Sequence, residues 1–202
     1  MRLSFNIPTY NRAKFLQNNI ELLASQIIDL GKESDVEINI CDNASTDETR
    51  EICEAFIKKY CSLSVNYYHS DSNLGPDRNF IKAMECANGE YSLLWGDDDY
   101  LKEGGLRRIF ELTDIGDKND VQILLSATTI IDKDKKFLRE KPFLRNDIDE
   151  IIVDFSYLSQ ARAYFFLLKD MGGMLSFISD VVYKTSIIRD NEYNQGSDDR
   201  VS

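Results

Sequence analysis

Tyr91-Ser-Leu-Leu-Trp-Gly-Asp-Asp-Asp99 decides the reading of this chain, because an apolar run the length of one buried strand ends abruptly in a glycine and three aspartates. Adjacent carboxylates repel one another, and holding them at a buried strand end is costly unless a cation neutralises them. Taken alone, such a triplet reads as a solvated acidic turn. Its position directly after Leu93-Leu94-Trp95 reverses that reading. Carboxylate oxygens select hard ions, so Mg2+ or Mn2+, completed by substrate phosphates, suits them better than zinc.

Upstream, short apolar runs alternate with amphipathic stretches, the pattern of parallel strands joined by crossover helices. Leu3 to Ile7, Val36 to Cys41, Val65 to His69 and Tyr91 to Trp95 are strand-like. Between them, Phe15, Leu16, Ile20, Leu23 and Ile27, then Ile52, Phe56, Ile57 and Tyr60, then Phe80, Ile81, Met84 and Ala87 recur at helical spacing. Ser45-Thr-Asp-Glu48 reads as a capping box for the second helix, and Asn88-Gly89 as the end of the third. Downstream, a helix is expected from Glu103 to Leu112, one strand from Val121 to Ile131 and a tight turn at Asp132 to Lys135. Beyond Asn146 the pattern becomes a longer helical stretch, Ile151 to Lys169, and a second apolar region, Met174 to Tyr183. The expected class is α/β with a mostly parallel central sheet.

In such a sheet the ligand crevice lies outside the carboxyl ends of the strands. Those ends are polar clusters here: Pro8-Thr-Tyr-Asn-Arg12, Asp42-Asn-Ala-Ser45, Asn73-Leu-Gly75 and Gly96-Asp-Asp-Asp99. Asp42 either accepts an N–H from a nucleobase or caps a helix end. Tyr10 offers a face for stacking a base or packs ordinarily. Arg12 and Arg78 present paired donors suited to phosphate, or are solvated surface. Gly75 before Pro76 either lets backbone approach a ligand or serves a turn. His69 reads as structural, Trp95 as core, and all four cysteines, at 41, 53, 61 and 86, as small hydrophobes.

The 202 residues fit one domain, and 43% hydrophobic content with three prolines excludes disorder. The net charge is −11, from 24 basic and 35 acidic side chains, which opposes nucleic acid and anionic lipid. Any polyanionic ligand must therefore be met by a local device such as a metal ion or a helix N-terminus. No CxxC supports structural zinc, and neither GxGxxG nor GxxxxGK[ST] occurs. No apolar run approaches the ~18 residues of a transmembrane segment. A cytoplasmic protein is expected, with at most a weak peripheral contact at the inner face of the cytoplasmic membrane.

Together, Ile7-Pro-Thr-Tyr-Asn-Arg12, Cys41-Asp-Asn-Ala-Ser-Thr-Asp47, Asn73-Leu-Gly-Pro-Asp-Arg-Asn79 and Gly89 to Asp99 resemble the inverting glycosyltransferases of family 2, which have the GT-A fold. The Gly-Asp-Asp-Asp variant looks most like the abequosyltransferase-type enzymes of bacterial surface polysaccharide, including lipopolysaccharide, synthesis. The resemblance implies a three-layer, Rossmann-like fold and transfer from a UDP- or TDP-type nucleoside-diphosphate sugar to a saccharide or lipid-linked saccharide acceptor. It implies that Pro8, Thr9, Tyr10, Arg12, Asp42, Gly75, Arg78, Asp97 and Asp98 bind the nucleotide sugar, with Asp42 reading the N3–H of the base. Asp98 and Asp99 would hold Mn2+ or Mg2+, while Gly96 stands where many members carry the first aspartate. The catalytic base is expected between Asp180 and Asp199, with Asp199 and Asp198 the first candidates and Asp180 the second.

Residues 1–116 are thus expected to form the donor-binding half, and 117–202 the acceptor side of the same catalytic domain, ending about where the base should stand. Two other readings stay open. One is a catalytically incomplete nucleotide-sugar-binding module. The other is a sugar-phosphate nucleotidyltransferase, which would call for a glycine-rich loop where this chain has Pro8-Thr-Tyr-Asn-Arg12.

Overall fold

A computed structural model describes residues 1–125, 128–131, 137–141, 179 and 181–190. Two strands buried along their whole length, β1 (Leu3–Thr9) and β2 (Val36–Asp42), lie side by side and parallel. Both strands alternate apolar with polar residues, Leu3, Phe5 and Ile7 against Ser4 and Asn6, and Val36, Ile38 and Ile40 against Glu37 and Asn39, so one face of each carries buried polar side chains that must find partners. Helix α1 (Ala13–Asp29) crosses between them, and α2 (Thr49–Lys59) leads on to the edge strand β3 (Ser64–His69). The next crossover, α3 (Pro76–Glu85), returns the chain past β2 and β1 to β4 (Tyr91–Leu94), on the far side of β1. Strand order thus reverses at β1, which places the crevice of a parallel α/β sheet between the carboxyl ends of β1 and β4.

Helix α4 (Gly105–Lys118) follows, then β5 (Ile123–Leu125). Strands β6 (Thr128–Ile131) and β7 (Phe137–Lys141) pair antiparallel in a separate sheet. Strand β8 (Val181–Lys184) runs antiparallel between β4 and β5, giving the central order β3-β2-β1-β4-β8-β5, and a short helix α5 (Ser186–Asp190) follows.

Alternation along each strand divides the core into two layers. Phe5 and Ile7 of β1 and Ile38 and Ile40 of β2 pack with Leu16, Ile20 and Leu23 of α1 and Phe56 of α2. Cys41 and Leu94 pack with Ala83 of α3 in a second cluster. The strands also carry a row of amides. Asn6, Asn39 and Asn66 stand in register; Asn66 Nδ2 donates to Asn39 Oδ1 at 2.9 Å and Asn39 Nδ2 to Asn6 Oδ1 at 2.9 Å. Asn6 Nδ2 completes the chain at the Leu93 carbonyl, 3.2 Å away, so the buried amides of Asn6 and Asn39 and the partly buried one of Asn66 form a continuous donor-to-acceptor chain.

Several local expectations are corrected. The Ser45/Glu48 capping box does not form: α2 starts later, at Thr49, and no side chain of its N-cap Glu48 bonds to it. Ser45 Oγ instead accepts the Asn11 N–H at 2.8 Å. Asp47 serves the helix starts: Oδ1 accepts from Thr49 N–H and Oγ1, and Oδ2 from the Ala13 N–H at 3.0 Å. One carboxylate thus answers free amides at the N-termini of both α1 and α2.

Helix α3 ends at Glu85, before Asn88-Gly89, and Gly89 serves a close approach instead. A Cβ there would lie 2.7 Å from Ser4 Oγ and 2.9 Å from the Leu3 carbonyl carbon. The single strand expected from Val121 to Ile131 is two, β5 and β6, in different sheets, because β-branched content signals extension without choosing a partner. The expected helix at 103–112 runs from Gly105 to Lys118. Phe15 is not part of α1's buried face; it is half exposed, and the Arg12 guanidinium lies 4.6 Å from its ring centroid. Cys61 is exposed rather than packed on an apolar face. The turn at 132–135 and the helical stretch at 151–169 lie outside the described residues.

Candidate functional site

The loop after β1 and the loop after β4 meet across the point where strand order reverses. Thr9 Oγ1 donates to Asp97 Oδ2 at 2.8 Å, and Arg12 Nε donates to Asp97 Oδ1 at 2.7 Å. A second guanidinium nitrogen of Arg12 pairs with Asp98 Oδ2. One arginine therefore bridges two of the three consecutive aspartates. Burial works against the Arg12 charge, but Asp97 and Asp98 outweigh it and raise its pKa further. Asp97 is buried, and this desolvation pushes its carboxyl above the ordinary range despite Thr9 and Arg12. Asp98 is the open member, its side chain 52% exposed.

Asp99 turns back over Gly96. Ser179, from just before β8, accepts the Gly96 N–H at 2.8 Å and donates to Asp99 Oδ2 at 2.5 Å. Burial raises the Asp99 carboxyl, more than Ser179 lowers it. A Cβ at Gly96 would meet Asp99 Oδ2 at 2.5 Å. The Asp99 carboxylate thus occupies the space into which any larger residue at position 96 would grow, a physical reason for glycine before the triplet. Asn19 of α1 holds the same turn from beneath: Nδ2 donates to the Gly96 carbonyl at 2.7 Å and to that of Asp99, while Oδ1 accepts from Trp95 Nε1 at 3.0 Å.

A second carboxylate ends β2. Asp42 is fully buried, level with Thr9 on β1 and His69 on β3. Its Oδ1 accepts the Ser45 N–H at 2.9 Å; its Oδ2 accepts the Tyr67 hydroxyl at 2.6 Å and lies 3.1 Å from His69 Nδ1. Burial alone would raise this carboxyl, but the donors Ser45, Tyr67 and His69 outweigh it and hold it below its ordinary range. In turn, burial and the bond to Asp42 lift the Tyr67 hydroxyl above its usual value.

Asn43 ties in the third loop. Its Oδ1 accepts the Leu74 N–H at 2.8 Å, and its Nδ2 donates to Asn73 Oδ1 at 2.9 Å and to the Gly75 carbonyl at 3.2 Å. Gly75, the N-cap of α3, has φ +83°, a conformation that glycine adopts without strain.

Of the residues singled out from sequence, Thr9, Arg12, Asp97 and Asp98 are therefore in direct contact. Asp99 joins them through the Gly96 turn. Pro8 is buried in β1 beside Cys41. Tyr10 stands 42% exposed at the loop tip, and Arg78 lies exposed in the first turn of α3. Asp42 sits at the same edge, enclosed by its three donors. Asp180, Asp198 and Asp199 lie outside the described residues. Sequence reasoning passed over Asn19, Tyr67 and Ser179. Only Asn19 left a signal, a polar residue inside the buried stripe Leu16, Ile20 and Leu23. Among the described residues no three acidic, histidine or cysteine side chains gather around a common point.

The glycosyl transferase family 2 model matches residues 4–169. Abequosyltransferase RfbV of Salmonella typhimurium is 34% identical over 184 residues, 91% of this chain and 53% of RfbV. Poly(ribitol-phosphate) beta-N-acetylglucosaminyltransferase TarS of Staphylococcus aureus is 33% identical over 107 residues, 53% of this chain and 18% of TarS. Among solved structures, S. aureus TarS 1-349 matches with a TM-score of 0.67 at 22% identity, over 95% of this chain and 49% of that one. The same TarS fragment in complex with UDP-GlcNAc matches with a TM-score of 0.65 at 21% identity, over 95% of this chain and 47% of that one. At these identities the structural likeness is one of fold. The chain spans about half the length of RfbV and a smaller share of TarS.

Proposed function

Because the chain belongs to glycosyl transferase family 2 and has the GT-A fold of its structural neighbours, we propose that the crevice between β1, β2 and β4 binds a nucleoside-diphosphate sugar. The base is of the UDP or TDP type. The sugar passes, with inversion, to a hydroxyl of a surface-glycan or lipid-linked saccharide. The observation that carries this reading is the bridge of Thr9 and Arg12 to Asp97 and Asp98 across the reversal of strand order. It puts donor and acceptor groups of both signs where a phosphorylated ligand binds in such sheets. The RfbV likeness supports a sugar donor, and TarS has been solved with UDP-GlcNAc.

A divalent ion, Mn2+ or Mg2+, fits the chemistry of the donor set. Asp98 is open to solvent and Asp99 stands beside it, and hard carboxylate oxygens from one or two residues with the rest of the shell from phosphate is the ordinary mode for such ions. When bound, the ion stabilises the charge that builds on the departing diphosphate. Asp97, filled by Thr9 and Arg12, orients Arg12 rather than serving as a ligand. Asp42 would accept from the base only by exchanging one of the donors that enclose it, the Tyr67 hydroxyl or the His69 ring, and Tyr10 offers a surface for stacking. Asp199 or Asp198, with Asp180 as second choice, takes the proton of the acceptor hydroxyl.

Calorimetry with UDP and TDP, with and without Mn2+, tests the donor site. Binding of either, strengthened by Mn2+, is the expected result, and no binding of either overturns the reading. Transfer assays on the same chain then separate an enzyme from a donor-binding module, which would bind nucleotide and transfer nothing.

A further inference from the structure

On the α3 side of the sheet, the Cys41 thiol donates to the Cys86 thiol with 3.9 Å between the sulfurs, although the two residues are 45 positions apart in sequence. We propose that Cys41 and Cys86 are a dithiol that closes reversibly to a disulfide when the protein meets a peroxide.

Three features separate this pair from ordinary packed cysteines. The first is geometry. A disulfide needs sulfurs ~2.05 Å apart, and the two thiols already face each other at 3.9 Å from different kinds of backbone, a central strand and a helix end whose carbonyl accepts from Asn88 Nδ2 at 3.1 Å and Asn39 Nδ2 at 3.4 Å. Cys41 is fixed within β2, hydrogen-bonded in register with β1 and β3, and its carbonyl holds Asn79 Nδ2 at 3.0 Å. Cys86 is the C-cap of α3 and begins the connection to β4. The second is access. Cys41 is fully buried, whereas Cys86 is only partly so, which gives an oxidant one sulfur to meet first and leaves the other to resolve it.

The third is charge. The hydrogen bond from Cys41 and the nearby Lys82 ammonium hold the Cys86 thiol below its ordinary value, against the burial and the Glu85 and Glu37 carboxylates that push it up. Cys41 is raised by its bond to Cys86 and by burial. The more exposed sulfur is therefore also the more nucleophilic.

The chemistry balances. The Cys86 thiolate attacks one oxygen of hydrogen peroxide, forming a sulfenic acid, and the hydroxide released takes up the thiol proton as water. The Cys41 sulfur then displaces the sulfenic oxygen, which leaves as a second water with the Cys41 proton. Two thiols are oxidised by two electrons, and one peroxide is reduced to two waters. Of the other cysteines, Cys53 packs in the opposite core layer and Cys61 is exposed at the end of α2.

The test uses the full chain carrying Cys61→Ser, treated with a slight molar excess of hydrogen peroxide, alkylated and mapped by peptide mass. More than half of the molecules should yield a Cys41–Cys86 linked peptide two hydrogens lighter than the reduced pair, reversed by dithiothreitol. Adding Cys86→Ser should abolish the link and leave Cys41 alkylated only after unfolding. Cys86→Ala provides the same measurement should serine disturb folding. Oxidation of Cys86 to sulfinic acid while Cys41 stays a free thiol, a link between other cysteines, or no oxidation of either residue in the folded chain overturns the proposal.

Discussion

Asp42 and Asp97 are both buried aspartates at the carboxyl ends of parallel strands that flank β1, yet their surroundings drive them in opposite directions. Asp42 meets only uncharged or weakly basic donors, the Ser45 amide, the Tyr67 hydroxyl and the His69 ring, and its carboxyl is held low. Asp97 has a full guanidinium and a hydroxyl, and its carboxyl is raised. The formal ion pair is thus the less comfortable anion, because desolvation by burial outweighs Thr9 and Arg12, and the charge of Asp98 adds a smaller push in the same direction. A buried pair compensates its desolvation only when each partner is fully engaged. The aspartate beside β3 is a settled structural anion, and the one beside β1 and Arg12 is biased toward losing its charge.

Substitutions at both positions can break this contrast. The largest effect is expected for Asp42→Ala, which strands the Tyr67 hydroxyl and the Ser45 amide in a buried place and should cost about 3 kcal/mol in urea unfolding. A cost below about 1 kcal/mol would remove Asp42 from its structural role. Asp98→Asn should leave stability nearly unchanged, since the side chain is half exposed, while abolishing the strengthening of UDP binding by Mn2+ in calorimetry, about tenfold or ~1.4 kcal/mol. Asp97→Asn should change stability by less than about 1 kcal/mol, because the relief of desolvation offsets the lost pairing and Arg12 keeps Asp98.

The pH dependence sharpens the same contrast. Asp42 contributes stability that is present above its ordinary value of 3.8 and lost as pH falls through its lower folded value. Asp97 behaves inversely: its contribution is complete below 3.8 and lost as pH rises through its higher folded value. Unfolding midpoints from about pH 2 to 7 should therefore show a shallower fall-off below 3.8 for Asp42→Asn and a flatter region above 3.8 for Asp97→Asn. The smallest effect concerns Ala44, at φ +65° in the loop between Asp42 and Ser45. Ala44→Gly relieves that conformation and should gain about 0.5–1 kcal/mol by thermal unfolding.

How much of this was legible in the sequence depended on the range of the interaction. The parallel strands and their helices came from periodicity, and the crevice edge from the polar clusters that end Leu3 to Ile7, Val36 to Cys41 and Tyr91 to Trp95. Local patterns carry such information because each is written within one element. The partners of those clusters were not legible. Ser179 reaches Gly96 and Asp99 from 80 or more positions downstream, and His69, read as structural, proves to face Asp42 from the neighbouring strand. Neither the split of Val121 to Ile131 between two sheets nor the double duty of Asp47 could be read from spacing, because both are decided by what packs alongside.

The row of asparagines beneath the crevice acts as a ruler. Asn6, Asn39 and Asn66 can link only when their strands stand level, and a slip of one residue would turn an amide toward the apolar layer of α1 and α2. Each asparagine stands three residues before a strand's last residue, so locking the amides also aligns Thr9, Asp42 and His69 along one edge. The alignment of the polar rim is thus set by a calibration mark in the interior, and loops at the rim can vary without moving the strand ends that anchor them.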